Sequence, residues 1–226
     1  MSVPESPSMA ADAFILAGGR STRMGQDKAV VSLAGKSLIV HTVQVLHEAG
    51  LEPRIVGTQS VFYTQPAQSP ILQDDPATSG RGPLSGICTA LAVCTKDLAV
   101  FLPIDLPLLP PALIAYLVHH ATVTQSAVTL VSVSAFVQTF PAVIRREALP
   151  QLQASLNSNN HNCLRSFREA SSILSSPFSV LPIEMLLQAG KVSHLNNFPP
   201  AVWFLNLNTP EDLAHAEALL ASSQIK

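Results

Sequence analysis

The residues best suited to chemistry lie in one stretch near the N-terminus, Leu16-Ala17-Gly18-Gly19-Arg20-Ser21-Thr22-Arg23-Met24-Gly25-Gln26-Asp27-Lys28. Glycines let backbone N–H groups approach phosphate oxygens where any side chain would collide. Arg23 offers a forked grip on phosphate, and Lys28 adds a point charge. A solvated surface turn is the alternative. Arg23 and Lys28, together with three glycines in one span after a buried strand, favour phosphate binding. No Gly-Lys-Ser/Thr ends the span, so it is not a Walker A loop. Gly18-Gly19 lacks the third glycine of the dinucleotide fingerprint. P-loop GTPases and nicotinamide dehydrogenases are therefore disfavoured.

These residues need a frame. Ala13-Phe14-Ile15-Leu16 is a short apolar run that stops at Gly18-Gly19, as a buried strand entering a tight loop does. Ser37 can cap a helix whose Ile39, Val43 and Leu46 share one face, with Gly50 closing it. Arg54-Ile55-Val56 and Ile71-Leu72 read as short strands, with a long polar, Pro-rich connection over 59–83 around the second. Ser85 to Cys94 reads as helix. Leu98 to Leu102 reads as a strand ending at Pro103-Ile104-Asp105, followed by a helix from Pro111 to His120. His119 and His120 read as solvated helix-end residues. Ala127 to Val133 and Phe140 to Ile144 are further strands. The region 151–200 carries little periodicity and is expected to be a substrate loop or irregular insertion. Val202 to Leu207 reads as the last strand. Thr209-Pro210-Glu211-Asp212 opens a final helix, with Thr209 as cap and Asp212 reaching back to the cap amide.

Strands alternating with helices predict an α/β fold with a doubly wound, mostly parallel sheet and a small antiparallel component. Ligands of such sheets sit beyond the carboxyl ends of the strands. The glycine loop and Asp105 both fall at that edge, so they should meet in one cleft. The expected organisation is a flexible tail over 1–11 and one domain over 12–226.

The bulk numbers narrow the function classes. Apolar residues make up 47% of the 226, enough for a sizeable core, and the formal charge is only -2. No basic field points to nucleic acid. The most apolar segment, 99–118, is broken by Asp105 and four prolines, which argues against a membrane span. Cys88, Cys94 and Cys163 form neither a disulfide framework nor a zinc pattern and read as buried reduced thiols. With no signal peptide legible over Met1 to Ala11, a cytoplasmic protein is expected.

The first motif resembles, at every fixed position, the signature L-A-G-G-x-S-x-R-M-G-x-D-K of the molybdenum cofactor guanylyltransferase family. The resemblance continues through Gly82-Pro83-Leu84-Ser85-Gly86, Pro103-Ile104-Asp105-Leu106-Pro107 and Asn206-Leu207-Asn208-Thr209-Pro210-Glu211-Asp212, in the same order and rough spacing. It implies a Rossmann-like nucleotidyltransferase that moves a guanylyl group from GTP to the terminal phosphate of molybdenum-molybdopterin, releasing pyrophosphate. It also implies Leu16, Ala17, Gly18 and Gly19 against the nucleotide, and Lys28 and Arg23 at its phosphates. Asp74 would read guanine, with Asp75 as an immediate competitor for that role. Asp105 would hold Mg²⁺, its alternative being an N-cap for the next helix. Asn206 and Asn208 would orient the pterin or the metal waters, or simply start the last helix. Molybdoenzymes or cofactor-delivery proteins would be the downstream partners.

The chain departs from the family pattern at Ile104 (usually cysteine), at Gly57 or Thr58 (usually asparagine) and at Phe140-Pro141 (often His-Pro). A cytidylyl-transferring relative would read L-A-A-G at positions 16–19, and a sugar-phosphate nucleotidyltransferase fits the later motifs less well. A binding module without catalysis could spare Lys28 or Asp105. No Ser/His/Asp set or paired carboxylates stands at a recognisable spacing, as expected where positioning and charge neutralisation carry the reaction.

Overall fold

The computed structural model describes residues 11–17, 28–57, 69–73 and 80–223. The central strand, β1 (Ala11–Leu16), is apolar at nearly every position because both of its faces are covered. Ala13 and Ile15 enter one core cluster, and Phe14 and Leu16 the other. This is the period-two alternation of a strand sandwiched between helical layers. The strand begins at Ala11, two residues before the expected start at Ala13 and within the span expected to be a flexible tail.

A small antiparallel hairpin follows, β2 (Ser32–Leu33) and β3 (Lys36–Ser37). Helix α1 (Leu38–Glu48) then packs Ile39, Val43 and Leu46 into the first cluster. Ser37 sits at its N-cap position without a side-chain cap bond, and Gly50, at φ 79°, turns the chain out of it. Strands β4 (Pro53–Val56) and β5 (Ile71–Leu72) extend the sheet outward from β1, all parallel. Helix α2 (Pro83–Ala92) crosses back on the opposite face, burying Leu84, Ile87 and Leu91 in the second cluster. Strand β6 (Leu98–Pro103) then pairs with the other side of β1.

Helix α3 (Pro111–Thr124) returns to the first face, with Leu113, Ile114, Leu117, Val118 and Ala121 inward. It runs four residues past the expected end, and His120, desolvated and stacked near Tyr116, titrates below the usual histidine range. Strands β7 (Val128–Val133) and β8 (Phe136–Arg145) form a hairpin. β8 lies antiparallel between β6 and β7 and is the reversed strand of a seven-stranded sheet ordered β5-β4-β1-β6-β8-β7 and then β9 (Phe178–Pro182).

The region 151–200 is mostly regular as far as Gln188, contrary to expectation, and irregular over 189–199. Helices α4 (Leu149–Asn157) and α5 (Cys163–Ile173) cover the second face through Leu152, Leu156, Cys163, Phe167 and Ala170. β9 and α6 (Ile183–Gln188) complete the far edge. The strand expected over Val202 to Leu207 is also not formed. Pro200 starts a one-turn helix, α7 (Pro200–Trp203), and the chain continues as a loop. Trp203 is fully buried and donates its indole N–H to the Phe198 carbonyl, which fixes the turn. A short apolar run cannot be assigned to strand or buried helix by periodicity alone. Helix α8 (Pro210–Ser223) ends the described chain. No helix among the described residues is long and apolar enough to cross a membrane.

Candidate functional site at the switch point of the sheet

After β1 the chain winds to β4 and β5 on one side, then returns to β6 on the other. The strand order therefore reverses between β1 and β6, the place where parallel α/β sheets bind ligands at their carboxyl ends. Leu16 and Ala17 end β1 there. The Ile104 N–H donates to the Leu16 carbonyl at 3.4 Å, and the Ala17 N–H donates to Val56 at 2.9 Å. Both residues are buried, so this part of the site is a fixed floor.

Three separate segments converge on that floor. Lys28 opens a single 3-10 turn, Lys28–Val30. Asp105 follows β6 in a loop whose Leu106, Leu108 and Leu109 are all buried. Asn208 precedes α8. The Lys28 ammonium donates to Asp105 Oδ2 at 3.2 Å and also to the Asn208 side-chain oxygen. These residues lie 77 and 180 positions from Lys28 in sequence. Asp105 does not cap the helix that follows, because Pro110 occupies that position.

A third, smaller apolar cluster explains how the three are held. Val31, Leu33 and Leu38 come from the Lys28 side, Leu108 from the Asp105 loop, and Leu207 and Ala216 from the Asn208 side. The Leu207 N–H donates to the Asp105 main-chain carbonyl at 3.0 Å. Each polar site residue thus has an apolar anchor within three positions of it.

The last helix starts as its sequence predicts. Asp212 accepts from the Thr209 N–H at 2.9 Å, and the Asp212 N–H donates to Thr209 Oγ1 at 3.2 Å. The Asp212 carboxylate also accepts from the Asn208 N–H at 3.0 Å. That amide is the largest influence on the Asp212 carboxyl and, with the Thr209 amide and hydroxyl and the Lys28 charge, holds it below the usual carboxylate range against the opposing effect of desolvation. Asn206 is exposed, whereas Asn208 is half-buried. Arg23, Gly18, Gly19, Asp74 and Asp75 lie outside the described residues.

Sequence reasoning missed His194. Its Nε2 lies 3.1 Å from the Leu108 carbonyl, and its Nδ1 accepts from the Asn196 N–H at 3.1 Å. The ring packs beside Phe198 and Trp203. A half-buried ring accepting at Nδ1 and donating at Nε2 is neutral, and desolvation lowers its pKa. It buttresses the Asp105 loop from behind. A lone histidine in an irregular stretch carries no sequence signal for such a role.

The arrangement suits a polyphosphate and a hard cation. Two oxygens of separate segments already converge on a positive charge, the Lys28 ammonium. Among the described residues no three His, Cys, Asp or Glu side chains cluster as a metal cage would require. Mg²⁺ takes one or two carboxylates and completes its shell with phosphate oxygens and water, so the pair of oxygens from Asp105 and Asn208 fits it. A surface depression of about 500 Å³ lies at the opposite edge of the sheet, beside Arg168 and Phe178, and takes no part in this site.

Comparison with known proteins places this geometry in context. The family model described as MobA-like NTP transferase domain matches residues 13–173. A protein from Pseudomonas entomophila named molybdenum cofactor guanylyltransferase is 30% identical over 186 residues, 82% of this chain and 91% of that one. A Bacillus cereus protein named probable molybdenum cofactor guanylyltransferase is 25% identical over 211 residues, 92% of this chain and 96% of its own length. The crystal structure of molybdopterin-guanine dinucleotide biosynthesis protein A from Archaeoglobus fulgidus superimposes with a TM-score of 0.73 at 20% identity, covering 93% of this chain and 99% of that one.

Proposed function

We propose, from the premise that the chain belongs to the MobA-like NTP transferase family, that this nucleotidyltransferase moves GMP from GTP to the terminal phosphate of molybdenum-molybdopterin. An oxygen of that phosphate forms a new bond to the α-phosphorus, and the bond from the α-phosphorus to the bridging oxygen breaks. The electron pair leaves with pyrophosphate, and the product is the guanine dinucleotide form of the cofactor. The observation that carries the reading is the meeting of Lys28, Asp105 and Asn208 at the switch point. Relatives named guanylyltransferase over most of their length support the choice of nucleotide and acceptor.

Each residue has a distinct task in this reading. Leu16 and Ala17 form the apolar floor against the nucleoside, and the glycines that follow them bring amides to the phosphates. Lys28 leaves its two oxygen partners to pair with phosphate, and Arg23 adds a forked contact. Together they stabilise charge on the departing pyrophosphate. Asp105 and Asn208 would hold Mg²⁺, which would supply charge neutralisation among the phosphate groups of donor and acceptor. Asp74 reads the guanine edge, with Asp75 next to it. No side chain need act as a nucleophile, because phosphoryl-type transfer depends on positioning and electrostatics.

The test is pyrophosphate release in the presence of Mg²⁺ and the purified pterin cofactor, with GTP and CTP compared. Release with GTP exceeding that with CTP is expected. Equal or greater release with CTP would assign the chain to cytidylyl transfer, and none with either would leave a binding module.

A further inference from the structure

We infer that Asp212 is a positioning residue of the transfer site: its carboxylate fixes the backbone of Asn208, so that the amide oxygen of that residue faces the cation position. The inference rests on the proposed roles of Lys28, Asp105 and Asn208.

A capping box needs one backbone bond from the acid, to the N–H of the cap residue itself. Asp212 makes that bond to Thr209 and a second to Asn208, which precedes the cap. The second bond adds nothing to the helix start. It acts on the loop that carries the site. On its other side, the loop is pinned by the Leu207 N–H to the Asp105 carbonyl and by complete burial of the Leu207 side chain. Asn208 is thereby gripped from both directions. With its backbone fixed, only the two side-chain torsions remain to place the amide oxygen, which reaches Lys28.

Thr209 supplies the control, because it shares the cap but not the contact with Asn208. Thr209→Ala removes the bond from the Asp212 N–H, and Asp212→Ala removes the reciprocal one. Both lose a cap, so each should lower the Tm by roughly 2–4 °C. Mn²⁺ binding to the full chain is read by EPR in the presence of GTP, alongside kcat and KM. Asp212→Ala is expected to weaken Mn²⁺ binding and kcat/KM by about 10-fold or more, as loss of a ligand-orienting partner does. Thr209→Ala should stay within about twofold. Asp212→Asn keeps an acceptor oxygen and should fall between Asp212→Ala and the parent chain; it also serves if Asp212→Ala does not fold.

Equal losses in the Thr209 and Asp212 variants, or parent-like Mn²⁺ binding in Asp212→Ala, would overturn the positioning role alone. A parent chain that binds no Mn²⁺ with GTP would overturn the site reading beneath it.

Discussion

Replacing Lys28 by methionine should make the protein bind a divalent cation more tightly when no nucleotide is present. In the resting structure the Lys28 ammonium sits where the proposed cation would sit, 3.2 Å from Asp105 Oδ2. At that separation and an effective dielectric of about 20, the bare attraction is roughly 5 kcal/mol. The two side chains are only 20% and 23% exposed, so desolvation and side-chain ordering cancel much of it. A net contribution of about 1–2 kcal/mol follows, above that of fully exposed pairs and below that of buried ones. An incoming cation must displace or tolerate this charge. Methionine keeps the length of the side chain and removes the charge. Since about 1.4 kcal/mol is a factor of ten, Mn²⁺ affinity without nucleotide should rise roughly 5- to 30-fold. With GTP the effect should reverse, because Lys28 then serves the phosphates. Titration of free Mn²⁺ by EPR, with and without GTP, measures both. Unchanged or weaker binding in the nucleotide-free variant would refute the idea that Lys28 holds the cation position.

Other consequences are equally direct. Asp105→Asn retains the main-chain acceptor for the Leu207 N–H, so the Tm should fall only by the roughly 2–8 °C that loss of the Lys28 ion pair implies, while turnover falls roughly 10²-fold or more; near-normal pyrophosphate release would contradict the metal assignment. Burial pushes Asp12 upward, but the Lys96 and Thr95 amides and the Arg54 guanidinium outweigh it and hold its carboxyl below 3.8. A depressed folded-state value means that the stabilisation is present above the unfolded value and is lost as pH falls through the folded one. The Tm should therefore drop on acidification below about pH 4, and Asp12→Asn should flatten that slope. Burial raises Cys88 and Cys94 to about 12 and Cys163 to about 11. All three are free and buried, so thiol reagents at neutral pH should label them only after unfolding; fast labelling of the native chain would contradict this burial.

Much of the frame was legible because its signals are local. The run at Ala13 to Leu16, the apolar stretch at Leu98 and the hairpin strands all have the composition of covered strands. The Thr209–Asp212 spacing declared its own capping bond. The edge rule for parallel sheets places Lys28 and Asp105 on one side of the molecule from sequence order alone. What stayed hidden depends on tertiary context. Helix α5 buries Ser166 and Ser171 beside Cys163, Phe167 and Ala170, so its inward stripe reads as broken. Pro150 lies in the first turn of α4 and resembles a stop signal. The turn at Trp203 rests on an indole bond to Phe198, which no periodicity reveals. Asn206 and Asn208 are indistinguishable in the motif, and only the folded loop turns Asn208 toward Lys28. The reversal of β8 likewise follows from how the hairpin enters the sheet, not from its residues.

The central claim is chemical, and mass spectrometry of the reaction product tests it most directly. Purified chain, Mg²⁺, GTP and molybdenum-molybdopterin should yield a pterin species heavier by one guanylyl group, with an equal amount of pyrophosphate. An unmodified pterin after incubation, or a cytidylyl adduct formed preferentially when CTP competes with GTP, would contradict the account.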